Sequence, residues 1–80
     1  MKHAREDYNR IQDPAGKIGE DEPVFLLRAR DISAPDVVIA WATEQLKYPN
    51  ADMRLVELAH KHAQEMRNWQ NKNGVKVADL

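Results

Sequence analysis

The sequence contains no cysteine, one serine and one threonine. The absence of cysteine excludes a disulfide-stabilised fold and every thiolate metal site, and it favours an intracellular protein. Ser33 and Thr43 leave little material for a hydroxyl nucleophile, and Ser33 is explained as a helix cap. Gly16 and Gly19 lack the strand-before, helix-after setting of a phosphate loop. We therefore expect a protein that is not an enzyme and uses no cofactor.

Long hydrophobic runs are also missing, so the sequence predicts neither a signal peptide nor a membrane-spanning helix. The 80 residues allow one small domain, over residues 1–80. A chain of this length buries only roughly 60% of the surface that its unfolded form exposes, so the core of a monomer is small. We expect a cytoplasmic protein that forms a homo-oligomer and does not bind membranes.

Charge of one sign does not dominate: 12 Lys and Arg residues stand against 13 Asp and Glu residues, and the formal net charge is −1. The charges are unevenly spread, since residues 18–53 sum to −4 and residues 54–76 sum to +3. An acidic middle segment and a basic C-terminal helix attract each other, within one chain or between two copies. This balance argues against binding of duplex nucleic acid, for which a clustered basic face is expected.

Two helices are the clearest elements. Ser33 and Asp36 form a capping pattern with a proline between them, which predicts a helix over about residues 34–47. A second helix is predicted over about residues 51–72, because Gly74 marks its far end. The connection is so short that the helices should be antiparallel neighbours. Apolar residues at 3–4 spacing predict a buried seam on the second helix: Leu55, Val56, Ala59, His62, Ala63, Met66 and Trp69.

Residues 24–30 are the most strand-like segment, because apolar side chains alternate through Val-Phe-Leu-Leu-Arg-Ala-Arg. We predict a short strand there, with Phe25 in the core; a helix is the alternative, since Leu, Ala and Arg are good helix formers. The strand needs a partner, for which residues 75–77, residues 17–18 or another copy are candidates. Apolar spacing also predicts a short helix over residues 2–11. Together these elements indicate an α+β, mostly helical fold.

Two arginines, Arg28 and Arg30, are the main candidates for ligand binding. Residues i and i+2 of a strand point to one face, so their guanidinium groups would lie about 7 Å apart and suit phosphate or carboxylate groups. Asp31 follows directly, and the helix N-terminus beyond it also favours an anion. Tyr8 and Trp41 are the aromatic candidates for stacking on a base. In the alternative interpretation, the arginines pair with nearby carboxylates as a charged strand edge.

Glu57 and His60 have the Glu-x-x-His spacing of half a di-metal site. His60 and His62 point about 200° apart on a helix, so they cannot ligate one ion together. We expect no metal site here, with His60 in solvent and His62 half-buried on the seam.

Residues 22–31 read Glu-Pro-Val-Phe-Leu-Leu-Arg-Ala-Arg-Asp, and they are followed by Ala34-Pro35, Trp41-Ala42, Met66-x-x-Trp69-Gln70 and a terminal Lys-x-x-Asp-Leu. This pattern, which covers most of residues 8–80, resembles a group of short phage and prophage accessory proteins. The group has no assigned chemistry, so no catalytic residue carries over. The resemblance implies a counter-defence setting, in which a small protein binds a host defence protein or a nucleotide immune signal without catalysis.

Two functions are therefore expected. The first is sequestration of a small anionic, nucleotide-like host ligand near Arg28, Arg30 and Asp31, at a subunit interface. The alternative is inhibition of a host defence or nucleic-acid-binding protein, in which an acidic segment imitates nucleic acid or occupies a basic site. That segment consists of Glu20, Asp21 and Glu22, which are also explained as a plain solvated run.

Overall fold

The computed structural model describes residues 2–3 and 13–79. In chain order it contains two short strands and two helices: β1 (Lys2–His3), β2 (Pro23–Val24), α1 (Ala34–Gln45) and α2 (Met53–Asn73). The molecule is flattened, with extents of 34 × 31 × 20 Å. The prediction of a mostly helical fold with two main helices is confirmed.

The helix ends follow from particular residues. Pro35 lies in the first turn of α1, where its missing N–H costs no helical hydrogen bond. Asp52 caps α2, because its side chain accepts a hydrogen bond from Arg54 N at 2.9 Å. Gly74 ends α2 with a φ of 83°, a left-handed value that glycine adopts without the steric cost of a side chain.

The first helix ends at Gln45, two residues before the predicted end at Lys47. The chain continues through three hydrogen bonds of 3.1 Å from a backbone N–H to the carbonyl three residues earlier, with donors Leu46, Lys47 and Tyr48. Bonds of this type tighten a last helical turn into 3₁₀ geometry. The predicted bounds of both helices, 34–47 and 51–72, therefore lie within two residues of the observed ones.

The two helices pack as an antiparallel pair. Arg67 Nη2 donates to Asp36 Oδ1, which places the start of α1 beside the later turns of α2. Three residues predicted on the seam are exposed instead: Leu55, His62 and Trp69. Each is turned about 100° away from the seam, because it lies one residue before a position on the buried side of α2, namely Val56, Ala63 or Gln70. Most of the buried side chains are small, so the backbones can approach closely while the core holds little bulk: Ala34, Pro35, Ala42, Val56, Ala63 and Met66.

The strand predicted over residues 24–30 is wrong in its length, since β2 covers Pro23–Val24 only. Its parallel partner is β1, with Lys2 opposite Pro23 and His3 opposite Val24. Among the described residues, no further ladder pairing is formed by residues 25–29, and an extended backbone without a partner gains no ladder hydrogen bonds. Phe25, predicted in the core, follows the ladder directly and is 72% exposed.

The helix predicted over residues 2–11 does not begin at Lys2, which belongs to β1. A backbone engaged in a strand ladder cannot make helical hydrogen bonds at the same residues. The rest of that predicted helix, residues 4–11, lies outside the described residues.

A second backbone pairing joins the end of the predicted strand to the C-terminal segment. Asp31 and Lys76 form a parallel bridge. Lys76 N donates to Arg30 O at 2.9 Å, and Ile32 N donates to Lys76 O at 3.0 Å. Of residues 75–77, one of the three expected partners, Lys76 pairs with the end of this segment through that single bridge. The observed partner of β2, which is β1, was not among the expected partners.

Candidate binding surfaces

The arginine pair lies on a turn. Asp31 N donates a hydrogen bond to Arg28 O at 3.0 Å, which closes a four-residue turn over residues 28–31 that we call the arginine turn. Arg28 and Arg30 are exposed, but the alternation that would set both guanidinium groups on one strand face does not apply within a turn. The strand geometry behind the predicted anion site is therefore wrong, while the ligand-binding role of the two arginines stays a prediction.

Asp31 holds the start of α1. Its Oδ1 accepts hydrogen bonds from Ser33 N at 3.0 Å and from Ser33 Oγ at 2.8 Å. Ser33 occupies the N-cap position of α1 as expected, but its side chain makes no capping hydrogen bond. Instead, the Asp31 carboxylate orders the turn before the helix. This carboxylate also puts negative charge beside the arginines, which opposes an anionic ligand.

Replacing Asp31 tests this role. We expect Asp31→Ala to lower the free energy of unfolding by about 1 kcal/mol, as for a lost cap. Asp31→Asn should retain most of the stability, because an amide oxygen also accepts hydrogen bonds. Ser33→Ala should cost less, about 0.5 kcal/mol, since the Ser33 backbone N–H still donates to Asp31. Urea denaturation measures all three, and a larger loss for Ser33→Ala than for Asp31→Ala would contradict the assignment.

Gln70, which the sequence patterns did not single out, anchors the arginine turn to α2. Its Nε2 donates to Ala29 O at 2.8 Å and to Asp31 O at 3.0 Å. These partners are 41 and 39 residues away along the chain, so no local motif could reveal the contact. The sequence offered one indication of this role, which is the position of Gln70: it lies four residues after Met66 and therefore on the same, buried side of α2.

The acidic segment lies on an ordered turn. Asp13 Oδ1 and Oδ2 accept hydrogen bonds from Lys17 N at 3.2 Å and Ile18 N at 2.9 Å. The next turn is closed by Glu22 N, which donates to Gly19 O at 3.1 Å. We call residues 19–22 the acidic turn; three of its side chains are exposed carboxylates: Glu20, Asp21 and Glu22.

The predicted aromatic ligands do not join the arginines. Trp41 lies on α1, seven residues beyond Ala34 and thus about 10 Å along the helix axis from its start. Its ring is partly exposed on the helix pair. Tyr8 lies outside the described residues. Asp31 therefore belongs to the same turn as the two arginines, whereas Trp41 lies farther along α1.

The histidines of α2 are surface residues. His60 and His62 are exposed, as is Glu57. His62 Nδ1 lies 3.4 Å from Glu65 Oε2, an i,i+3 pair on the solvent side of the helix. Within residues 2–3 and 13–79, no three side chains of the His, Cys, Asp or Glu type lie close enough to hold a metal ion.

Comparison with family models, with curated proteins and with solved structures finds no match. Neither helix in the described part of the chain is long and apolar enough to cross a bilayer.

Proposed function

We propose that this chain is a non-catalytic, phage-type accessory protein that inhibits a host protein by direct contact through the acidic turn. The observation that carries the proposal is the ordering of residues 13–22. The Asp13 carboxylate accepts two backbone N–H groups and so fixes the loop that leads to the turn. A fixed loop pays less entropy on binding than a flexible charged run.

Electrostatics favours a basic partner surface. Residues 18–53 carry a charge of −4, and the acidic turn contributes three carboxylates to it. Complementary charge raises the association rate and rejects acidic competitors. A protein that binds nucleic acid has a surface of this kind, which supports imitation of nucleic acid as the mode of inhibition. The site of action is the cytoplasm of the infected host.

A non-catalytic role agrees with the state of the two hydroxyl groups. Ser33 Oγ donates to Asp31 Oδ1 at 2.8 Å, and Thr43 Oγ1 donates to Ile39 O at 3.0 Å within α1. Neither hydroxyl donates to a histidine, the usual base for such a nucleophile. Both contacts are local and stabilise the backbone around them.

A second candidate is a small anionic, nucleotide-like ligand at the arginine turn. The bond from Lys76 N to Arg30 O, at 2.9 Å, brings the backbone of a third cationic residue beside Arg30. Lys76 Nζ also pairs with Asp79 Oδ1 at 2.9 Å. With Asp31 engaged in the same turn, this cluster is less suited to an anion than the acidic turn is to a basic protein.

A plating assay separates the two candidates. The chain is expressed in bacterial strains that each carry one defence system, and phage plating is compared with and without it. We expect the unaltered chain to restore plating on at least one strain. In the triple variant Glu20→Gln/Asp21→Asn/Glu22→Gln, the restored plating should fall by about tenfold or more, because each lost charge weakens binding by about 0.5 kcal/mol. Arg28→Ala/Arg30→Ala should retain the activity.

A charge-matched control completes the assay. Glu44→Gln/Glu57→Gln/Glu65→Gln removes the same charge from the helices, and it should retain activity. Activity lost in the arginine variant and kept in the acidic-turn variant would favour the nucleotide ligand. A thermal-shift screen with nucleotides, cyclic dinucleotides and ADP-ribose checks this independently, because a ligand of the native state raises the melting temperature. Failure of the unaltered chain to restore plating on any strain would contradict the counter-defence role.

A further inference from the structure

One side of the helix pair carries large apolar side chains that are open to solvent. Each of five such residues is between 41% and 60% exposed. His62 lies among them in the sequence order of α2 and is also exposed. We call this surface the two-helix face, and its residues are Val37, Trp41, Leu55, Leu58, His62 and Trp69.

The helix geometry places these residues on the same side of the pair. An α-helix turns by about 100° per residue, so the residue directly before a buried residue points about 100° to one side of the seam, and the residue directly after it points about 100° to the other side. Because the two helices are antiparallel and face each other, equal turns in the same sense reach the same side. Trp41 precedes Ala42, Leu55 precedes Val56, and His62 precedes Ala63; the two alanines and Val56 are buried.

The opposite side of the pair provides a check on this geometry. Asp36 follows buried Pro35, and Arg67 follows buried Met66. By the same rule these two side chains should meet, and Arg67 Nη2 does donate to Asp36 Oδ1. The helix pair therefore has a polar, ion-paired side and an apolar side.

The surface area of the chain is large enough for a second copy to cover the apolar side. The accessible surface is 6598 Å², whereas a compact monomer of this mass exposes about 4,900 Å². The excess is about 1,700 Å², and a standard interface buries about 800 Å² on each partner. The Cα radius of gyration of 14.0 Å also exceeds the roughly 12 Å of a compact 80-residue domain. The chain thus exposes enough surface to supply a stable interface.

Charge does not oppose a second copy. The net charge of the chain is −1, so two copies repel weakly. Of the six residues of the two-helix face, His62 alone has an ionisable side chain, and it is paired with Glu65. The same patch on two subunits can therefore meet through its apolar residues, as a two-fold interface requires.

We propose that the two-helix face binds a second copy of this chain and forms a symmetric dimer in which α1 and α2 of both subunits make a four-helix arrangement. Trp41 and Trp69 are its anchors, because buried tryptophans contribute most to interface energies. The inference does not rest on the proposed function, since it uses neither the acidic turn nor the arginine turn.

Sedimentation equilibrium of the full chain tests the dimer at micromolar concentration. We expect a mass of twice 9.2 kDa for the unaltered chain and a monomer for Trp41→Glu, in which a charge faces an apolar partner surface. Phe25→Glu is the matched control: it adds the same charge at an exposed aromatic residue outside both helices and should leave the dimer intact. A dimer with Trp41→Glu folded by circular dichroism would overturn the proposal, as would a monomeric unaltered chain.

A milder variant covers the case in which Trp41→Glu does not fold. Trp41→Ala should raise the dimer dissociation constant by about 30-fold or more, as for an interface hot spot. Both tryptophans of the chain lie on the two-helix face, so tryptophan emission should shift to shorter wavelength as concentration rises. An unchanged dissociation constant for Trp41→Ala, or emission independent of concentration, would overturn the proposal.

Discussion

Met66→Ala is expected to lower the free energy of unfolding by about 2–5 kcal/mol, the usual cost of truncating a buried long side chain to alanine. Met66 is the largest of the buried hydrophobic side chains, and most of the others are alanines, so its truncation removes more buried volume than a change to alanine at any other of these positions. An 80-residue domain has roughly 4–12 kcal/mol of stability in total. The single truncation should therefore remove a large part of it.

The chain provides its own control for this change. Met53→Ala makes the same substitution at an exposed residue of the first turn of α2, and it should change the stability by less than about 0.5 kcal/mol. Urea denaturation at one fixed protein concentration measures both, since association would otherwise shift the apparent stability. Equal effects of the two truncations would show that the seam is not the core.

Gln70→Glu is expected to be the most damaging polar substitution, with a loss of about 3 kcal/mol. The change replaces an amide donor, which serves the carbonyls of Ala29 and Asp31, with a carboxylate that repels them. Leaving buried acceptors without a donor costs about 1–3 kcal/mol, and a charged group adds to this.

The matched control is Gln64→Glu. Gln64 Nε2 donates to Asn68 Oδ1 at 3.0 Å on the exposed surface of the same helix, so its replacement should cost less than about 0.5 kcal/mol. Denaturant titration compares the two variants, and the amide resonances of Ile32 and Lys76 report on the bridge beside Gln70. A loss for Gln70→Glu no greater than that for Gln64→Glu would contradict the anchoring role.

The helices were predictable because their ends depend on local chemistry. Pro35, Asp52 and Gly74 determine boundaries through their own backbone and side-chain properties, and each lies at or next to the end that it determines. The pairing of Lys76 with the arginine turn was also among the expected alternatives, because residues 75–77 have an alternating pattern.

The strand and the anion site could not be predicted from the same patterns. Alternation through residues 24–30 shows that a strand is compatible with the sequence, but strand length depends on the partner, and β1 has only two residues. The turn over residues 28–31 depends on hydrogen bonds from Gln70 and Lys76, which are distant in sequence. The exposure of Phe25 has a related cause. The core is built mainly from alanines, which lets the two helices approach closely and leaves no cavity between them for a large side chain from outside the helices.

The arginine turn has a consequence for the order of folding. The two helices are joined by a short connection, so their pairing closes a small loop and can form early. The bonds from Gln70 to Ala29 and Asp31 instead span 41 and 39 residues, and they require α2 to be in place first. Contacts between residues so far apart in sequence close a long loop at a large entropic cost, so we expect them to form after the folding transition state. Stabilising the arginine turn should therefore slow unfolding while leaving the folding rate almost unchanged.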